Sequence, residues 1–203
     1  TMPKTLRNKW NLYLTYEKLM EAHKLSKKSK GHRKEIILFN LKSEEYILNL
    51  LEELKNNTYR PSMYTSFYVY EPKVRKIEKA KYKDRIVNRW LVDNFIKPIY
   101  IPKFINTTYA CIEGRGMHKA CLDMQEMMKH CKRIWGNYYI LKMDVKKFFN
   151  SINKDILLEI LKRNIVDKKV LGLITQILYI QEKQVGIEIG NYSSQMFREY
   201  ILK

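Results

Sequence analysis

The sequence contains few of the residues that break or cross-link a chain. Only 7 glycines and 5 prolines occur among 203 residues, which argues against a disordered chain. The 3 cysteines are odd in number, form no Cys-x-x-Cys pair and have no nearby histidine pair. This argues against a disulfide framework and against a zinc site, and it favours a reducing compartment.

Long apolar runs are also absent. No stretch approaches the length that spans a membrane, and the first residues, TMPKTLRNKW, lack the apolar core of a signal peptide. The sequence therefore predicts a cytoplasmic protein without a membrane partner. With 45% hydrophobic residues, the chain is still apolar enough for one sizeable core or two packed lobes.

Acidic residues are scarce compared with basic ones. The chain has 39 Lys and Arg against 21 Asp and Glu, a formal net charge of +18. Among these basic residues are scattered 15 Tyr, 7 Phe and 3 Trp. This combination suits a phosphate backbone whose bases stack on aromatic rings. The alternative interpretation is a solvated basic surface, as in a protein from a Lys- and Asn-rich proteome.

Hydrophobic periodicity predicts one α+β unit that is rich in helices. Ser43 is expected to cap one helix. Cys121 and Cys131 share a helical face with three methionines and are expected to pack in the core. Helical spacing is found over residues 10–22, 84–99, 117–132, 155–162 and 168–180.

A small antiparallel sheet is expected beside these helices. Residues 64–77 predict a basic hairpin, and alternating apolar residues predict further strands at 138–145 and 184–189. Residues 24–34, KLSKKSKGHRK, carry six basic side chains and no acidic one. That pattern predicts a basic linker or an exposed turn.

Asp144 is the only acidic residue between Glu126 and Asp155, and it lies where the predicted strand 138–145 ends. A carboxylate at a sheet edge can bind a hard cation such as Mg²⁺. The alternative is an ordinary turn or helix-capping aspartate. Upstream, Arg75 and Arg85 are ten residues apart, and guanidinium groups at such positions can clamp a triphosphate.

Five segments, in this order, resemble the sequence blocks of bacterial reverse transcriptases. They read VYEPKVRKI, KYKDRIVNRWLVDNFIKPIY, FINTTYACIEGRGMHKA, YYILKMDVKKFFNSIN and GIEIGNYSSQMF. The last contains IGNYSSQ where most of the family has Gln-Gly-x-x-x-Ser-Pro. That pattern is similar to the reverse transcriptases of diversity-generating retroelements, although other bacterial members share parts of it.

The resemblance implies a fold and an activity. It predicts fingers formed by residues 1–92 and 150–184, and the N-terminal part of a palm formed by 93–149 and 185–203. The activity would be RNA-templated DNA synthesis, with an RNA template, a DNA primer and a dNTP as partners and Mg²⁺, or Mn²⁺, as cofactor. The alternative function is a non-catalytic RNA-binding remnant or scaffold.

The resemblance also implies roles at the catalytic and nucleotide positions. Asp144 would be a catalytic carboxylate of a two-magnesium site, with the carbonyl of Val145 as a further ligand. Lys73 and Arg75 would lie over the incoming triphosphate. Phe149 would exclude a 2′-hydroxyl beneath the sugar, unless it is a plain core aromatic.

Further roles concern the base pair and the nucleic acid strands. Gly190 and Gln195 would border the nascent base pair. Arg85, Arg115 and Asn191 would contact nucleic acid, with an ion pair to Asp84 or a neighbour as the alternative for Arg85.

One family feature is missing from the sequence. No Tyr-x-Asp-Asp block follows Phe197, and two metal ions need several anionic ligands. We therefore expect a truncated reverse transcriptase, without thumb or remaining palm, that is inactive alone. A C-terminal half or an accessory protein would be a further partner.

Overall fold

A computed structural model describes residues 5–201, so the outermost residues of the predicted fingers (1–4) and palm (202–203) lie outside it. One β-hairpin, β1 (Thr65–Val69) and β2 (Arg75–Lys79), forms the sheet of the described residues. The α-helices are α1 (Trp10–Tyr13), α2 (Tyr16–Lys27), α3 (Lys34–Leu41), α4 (Ser43–Lys55), α5 (Tyr82–Leu91), α6 (Lys97–Tyr100), α7 (Met117–Trp135), α8 (Phe148–Ser151), α9 (Lys154–Lys162), α10 (Lys168–Leu178) and α11 (Tyr192–Ile201). The expected helix-rich fold with a small antiparallel sheet is confirmed.

The core is built around α5 and the helical segments that follow it. A π-helical turn, Val92–Ile96, continues α5 into α6, so the predicted helix over 84–99 is confirmed with a change of pitch inside it. Trp90 is fully buried and its ring centroid lies 5.3 Å from that of Trp10 and 5.0 Å from that of Phe95. This aromatic cluster joins α1 to α5, because aromatic pairs at such distances add to the stabilisation from burial.

The predicted basic hairpin is confirmed. β1 and β2 are antiparallel, with Phe67 opposite Ile77 and Val69 opposite Arg75. At the open end of the hairpin, the backbone N–H of Glu78 donates to the carbonyl of Ile189 at 3.3 Å. The hairpin is therefore attached to the segment that leads into α11.

The two other predicted strands are wrong. Residues 138–145 have no regular structure, and their apolar side chains other than the half-buried Tyr138 are exposed, with Tyr139 at 100%. A strand needs a neighbour to share its hydrogen bonds, and within residues 5–201 none lies beside this segment. Residues 184–189 form one bridge, between Val185 and Asn153, and so follow the turn before α9 instead of entering a sheet.

Two expectations about helices also need correction. The helix predicted at 117–132 exists as α7, but none of its residues is buried, so Cys121 and Cys131 are not core residues. The hydrophobic periodicity of this segment correctly predicts a helix, but no described element covers the apolar face of α7. Ser43 is the first residue of α4, with Lys42 before it, and does not cap the helix.

The basic segment 24–34 is divided by the fold. Its central residues, 28–33, form the expected exposed turn between α2 and α3, whereas Lys24 and Lys27 belong to α2.

No helix among the described residues is both long and apolar enough to cross a membrane.

Candidate nucleotide and nucleic-acid site

A cleft of about 740 Å³ lies between the hairpin and the segments around Asp144 and 181–189; we call it the hairpin cleft. Its cations outnumber its carboxylates by six to three, so it favours an anionic ligand. The cations are Lys73, Arg75, Lys76, Lys146, Lys147 and Lys183, and the carboxylates are Glu78, Asp144 and Glu188.

A second cleft, of about 1040 Å³, adjoins the first and shares Arg75 and Asp144 with it. Val145 and Phe149 line this Phe149 cleft. Arg75 in β2 and Asp144 are 69 positions apart in the chain, yet both face the same two clefts. Of the predicted nucleotide and metal residues, Lys73 lies in the hairpin cleft and Arg75, Asp144, Val145 and Phe149 lie in the Phe149 cleft, whereas Gly190 and Gln195 line neither cleft.

Phe149 contacts both the core and the cleft. It lies in α8, is half-buried and packs against the hydrophobic core, with its ring centroid 5.8 Å from that of Phe148. The guanidinium of Arg198 lies 6.0 Å from the Phe149 ring centroid on the cleft side. The ring is therefore positioned by packing while part of it remains available to a ligand.

Two buried charged side chains that sequence reasoning missed interact electrostatically: Glu188, which lines the hairpin cleft, and Lys154 in α9. Glu188 and Lys154 are both buried, and Lys154 Nζ donates to the carbonyl of Gln181 at 3.2 Å. Burial raises the pKa of Glu188 and lowers the pKa of Lys154, because each charge is partly removed from water. The only available signal was Glu188 itself, a carboxylate inside the apolar run GIEIG.

The donors near Asp144 do not complete a two-magnesium site. Within residues 5–201, no group of three or more His, Cys, Asp or Glu side chains is placed to hold a metal ion. Glu78 is engaged by the Gln181 amide at 2.9 Å and by Lys76 at 3.3 Å. Asp144 and the carbonyl of Val145 by themselves supply fewer anionic ligands than two divalent ions need.

The remaining predicted residues lie elsewhere, most of them in a cleft of about 390 Å³ beside the turn between α2 and α3; we call it the turn cleft. Gly190 lines it with φ of +114°, and a Cβ there would lie 3.2 Å from Ile77 Cγ2. Asn191 is buried at 4% exposure, and its amide donates to the Tyr64 hydroxyl at 2.8 Å. Both residues therefore fix the start of α11 against the hairpin.

Arg85 lines the turn cleft and is ion-paired. Its Nη2 lies 2.6 Å from Oε1 of Glu35, and Lys79 Nζ from β2 lies 2.8 Å from the same oxygen. Burial of Glu35 opposes ionisation, but the two cations outweigh it and hold the pKa of Glu35 below its usual value. Arg85 thus pairs with a neighbour, which is Glu35 and not Asp84, and this network joins α5 and the hairpin to α3.

Arg115 and Gln195 line a further cleft of about 680 Å³, next to the turn cleft; we call it the Arg115 cleft. Arg115 Nη1 donates to the carbonyls of Ile105, Asn106 and Thr108 at 3.4, 3.3 and 3.1 Å. Gln195 lines both clefts and accepts a hydrogen bond from the Cys111 thiol at 3.5 Å. The predicted residues therefore form two groups, one around Asp144 and one that lines the turn cleft and the Arg115 cleft.

No protein-family profile matches the chain. Over 116 residues it is 26% identical to nuclear intron maturase 1, mitochondrial, of Arabidopsis thaliana, a match that covers 56% of this chain and 15% of the maturase. Chains of the solved partial Cas6-RT-Cas1–Cas2 complex and of the Cas6-RT-Cas1–Cas2 complex each match 97% of this chain, with a TM-score of 0.58 at 15% identity.

The two solved chains share the fold of this chain over nearly its whole length. The structural match concerns the fold alone, because the identity is low. The chain spans 34% and 21% of the two solved chains and 15% of the maturase, so each of these proteins is several times longer.

Proposed function

We propose that this chain forms the fingers and the first part of the palm of an RNA-directed DNA polymerase. The observation that carries the proposal is the meeting of Arg75 and Asp144 at two adjoining, cation-rich clefts. A dNTP has the matching chemistry, because its triphosphate seeks cations while its sugar and base seek apolar contact. The bacterial, retroelement-type assignment rests on the IGNYSSQ pattern.

In this proposal the two clefts receive different parts of the nucleotide. Lys73 and Arg75 bind the triphosphate in the hairpin cleft, where neighbouring lysines strengthen the positive potential. Phe149 contacts the sugar from the second cleft. Asp144 and the Val145 carbonyl would hold Mg²⁺ or Mn²⁺ together with carboxylates contributed from outside residues 5–201.

A second candidate function is RNA binding without catalysis. It is favoured by the incomplete metal ligand set within residues 5–201. Both candidates require RNA binding, and only the polymerase requires a selective dNTP site. A measurement of selective dNTP binding therefore distinguishes the polymerase from the non-catalytic RNA-binding protein.

Nucleotide affinity, measured with a fluorescent dNTP, tests the proposal. Arg75→Ala is expected to weaken binding by about 10- to 100-fold, because a charge-assisted hydrogen bond to phosphate contributes about 1.5–3 kcal/mol. Arg163→Ala is the matched control, since Arg163 is exposed and lines neither cleft. Equal affinities in the two variants would contradict the assignment of the triphosphate to Arg75.

Sugar choice provides the second part of that experiment. Phe149→Ala is expected to reduce the preference for a deoxynucleotide over a ribonucleotide, because removing the ring makes room for the 2′-hydroxyl. Arg75→Ala should leave that preference unchanged. An unchanged preference in Phe149→Ala would assign Phe149 to the core alone.

A further inference from the structure

Lys154 is a buried charge that the nucleotide proposal does not use. It is the first residue of α9, it lines neither the hairpin cleft nor the Phe149 cleft, and only 1% of it is exposed. Burying an ammonium group is costly unless polar partners surround it, and an apolar side chain would fill the same space without that cost. The partners of Lys154 therefore indicate what its charge does.

Lys154 holds the loop that follows α10. Its Nζ donates to the carbonyl of Gln181 at 3.2 Å, and its backbone N–H donates to the carbonyl of Gln184 at 3.0 Å. The ring centroid of Tyr179 lies 5.4 Å from the same Nζ, a distance at which a cation attracts an aromatic face. One residue thus fixes both ends of the segment 181–184 to the start of α9.

Two carboxylates of the hairpin cleft interact with this charge. Burial lowers the pKa of Lys154, and the carboxylates of Glu188 and Glu78 oppose that shift. Both carboxylates line the hairpin cleft. Removal of Lys154 would therefore change the electrostatics of the cleft as well as the position of the loop, and a test has to separate the two effects.

Gln181 connects the loop to the hairpin. Its main-chain carbonyl accepts from Lys154, while its side-chain Nε2 donates to Oε1 of Glu78 in β2 at 2.9 Å. The two hydrogen bonds act in series, because they use different groups of one half-buried residue. The start of α9, the loop after α10 and β2 are thus joined through Gln181.

The hairpin depends on such contacts because little of it is covered. Every residue of β1 is exposed, and no residue of β2 is buried. Successive side chains of a strand point to opposite faces, so Glu78 and Lys79 hold different faces of β2. Lys79 pairs with Glu35 in α3, whereas Glu78 bonds to Gln181. The contact with Gln181 therefore acts on the face that carries Glu78 into the hairpin cleft.

A shift of β2 at Glu78 would reach Arg75. The two residues are three positions apart in β2, about 10 Å along a strand, and both line the hairpin cleft. Lys73 lies beyond Arg75 in the turn of the hairpin. Hydrogen bonds to phosphate weaken as they lengthen beyond about 3 Å. A change in the direction of β2 is therefore expected to weaken triphosphate binding without any change in charge.

The same loop is also attached to the Phe149 cleft. The N–H of Gly186 donates to the carbonyl of Ile152 at 2.8 Å, and the N–H of Ile187 donates to the carbonyl of Phe149 at 2.9 Å. The segment 181–189 thus contacts the hairpin through Gln181 and α8 through its backbone. It sets the distance between the cations of the hairpin and the Phe149 ring.

We infer that Lys154 is a positioning residue for the dNTP: through Gln181 it fixes the hairpin, with Lys73 and Arg75, relative to Phe149. The inference rests on the proposed function, because it requires a triphosphate to bind at the hairpin. Lys154 itself contacts no nucleotide. Its effect passes through the carbonyl and the side-chain amide of Gln181 to β2.

The test is a double-mutant cycle on dNTP affinity, measured with a fluorescent dNTP. Lys154→Met removes the ammonium group but keeps an unbranched side chain, and Gln181→Leu removes the amide but keeps the carbonyl that accepts from Lys154. The matched controls are Lys162→Met and Gln176→Leu, at exposed positions of α9 and α10 that line neither cleft. Circular dichroism verifies that each variant is folded.

Each single variant is expected to weaken dNTP binding by about 3- to 10-fold, the factor that corresponds to one lost hydrogen bond. The double variant Lys154→Met/Gln181→Leu should bind no more weakly than the weaker single variant, because a second break in one series adds nothing. Both controls should keep the wild-type affinity. A purely structural role of Lys154 would lower the free energy of unfolding and leave the affinity of the folded protein unchanged.

Several results would overturn the inference and leave the proposed function intact. A loss in Lys154→Met alone would show that its charge acts directly on the nucleotide, and a loss in Gln181→Leu alone would show a direct contact. Additive losses, or no loss in either variant, would equally contradict positioning in series. Arg75→Ala should still weaken binding in all these cases.

Two further results are distinguishable. If Lys154→Met does not fold, Lys154→Met/Glu188→Gln takes its place in the cycle, because it also removes the buried carboxylate that would lose its cation. Failure of the wild type to bind a dNTP would overturn the proposed function itself, and the inference with it.

Discussion

Residues 82–100 and residues 113–151 each contain a helix with apolar periodicity, α5 and α7, but their surroundings are opposite. In the first region most side chains are buried, including Trp90, Phe95 and Tyr100. In the second, which contains α7 and Asp144, no residue is buried. Periodicity thus reports the helix that a segment forms, whereas burial depends on a second element that lies against it. The candidate catalytic carboxylate therefore lies in a stretch without a buried residue.

The largest expected effect compares two tryptophans. Trp90→Ala should lower the free energy of unfolding by about 3–5 kcal/mol, because it removes a fully buried ring from the aromatic cluster. Trp135→Ala, at the exposed end of α7, should change it by less than about 0.5 kcal/mol. Urea denaturation followed by circular dichroism measures both. Equal losses would show that α7 is as well packed in solution as α5.

The next effect concerns Gly190, whose backbone joins the hairpin to α11. Gly190→Ala should destabilise the protein by about 2 kcal/mol, because φ of +114° strains an L residue and the new Cβ meets Ile77. Gly114→Ala is the matched control, since Gly114 also has positive φ, +73°, but has open space around it. Its cost should be about 1 kcal/mol. Urea midpoints in which Gly114→Ala is the more costly change would contradict the contact with Ile77.

The smallest effect is the pH dependence of the Glu35 network. Cations lower the folded-state pKa of Glu35, so its contribution is complete above the unfolded-state value of 4.5 and is lost as the pH falls through the lower folded-state value. Glu35→Gln should therefore be less stable than the wild type near neutral pH, by about 1 kcal/mol. That difference should shrink as the pH falls below 4.5. A difference independent of pH would contradict the ion-pair assignment.

Local pattern was sufficient for the helices and the hairpin, because their hydrogen bonds join residues close in sequence. It failed for residues 138–145, because a strand depends on a neighbour that periodicity does not report. The nearness of Arg75 to Asp144 was expected from family resemblance and not from spacing. The buried pair of Glu188 and Lys154, and the sharing of Glu35 by Lys79 and Arg85, depend on tertiary contacts for which the sequence offers no separate signal.

Primer extension tests the central claim most directly. A DNA primer on an RNA template is incubated with dNTPs and Mg²⁺ or Mn²⁺, together with the 203-residue chain alone or the chain joined to a palm segment that carries a Tyr-x-Asp-Asp motif. The account predicts no extension by the chain alone, extension by the joined protein, and loss of that extension on Asp144→Asn, because metal-assisted transfer needs all of these carboxylates. Extension by the chain alone, or extension that persists in Asp144→Asn, would contradict it.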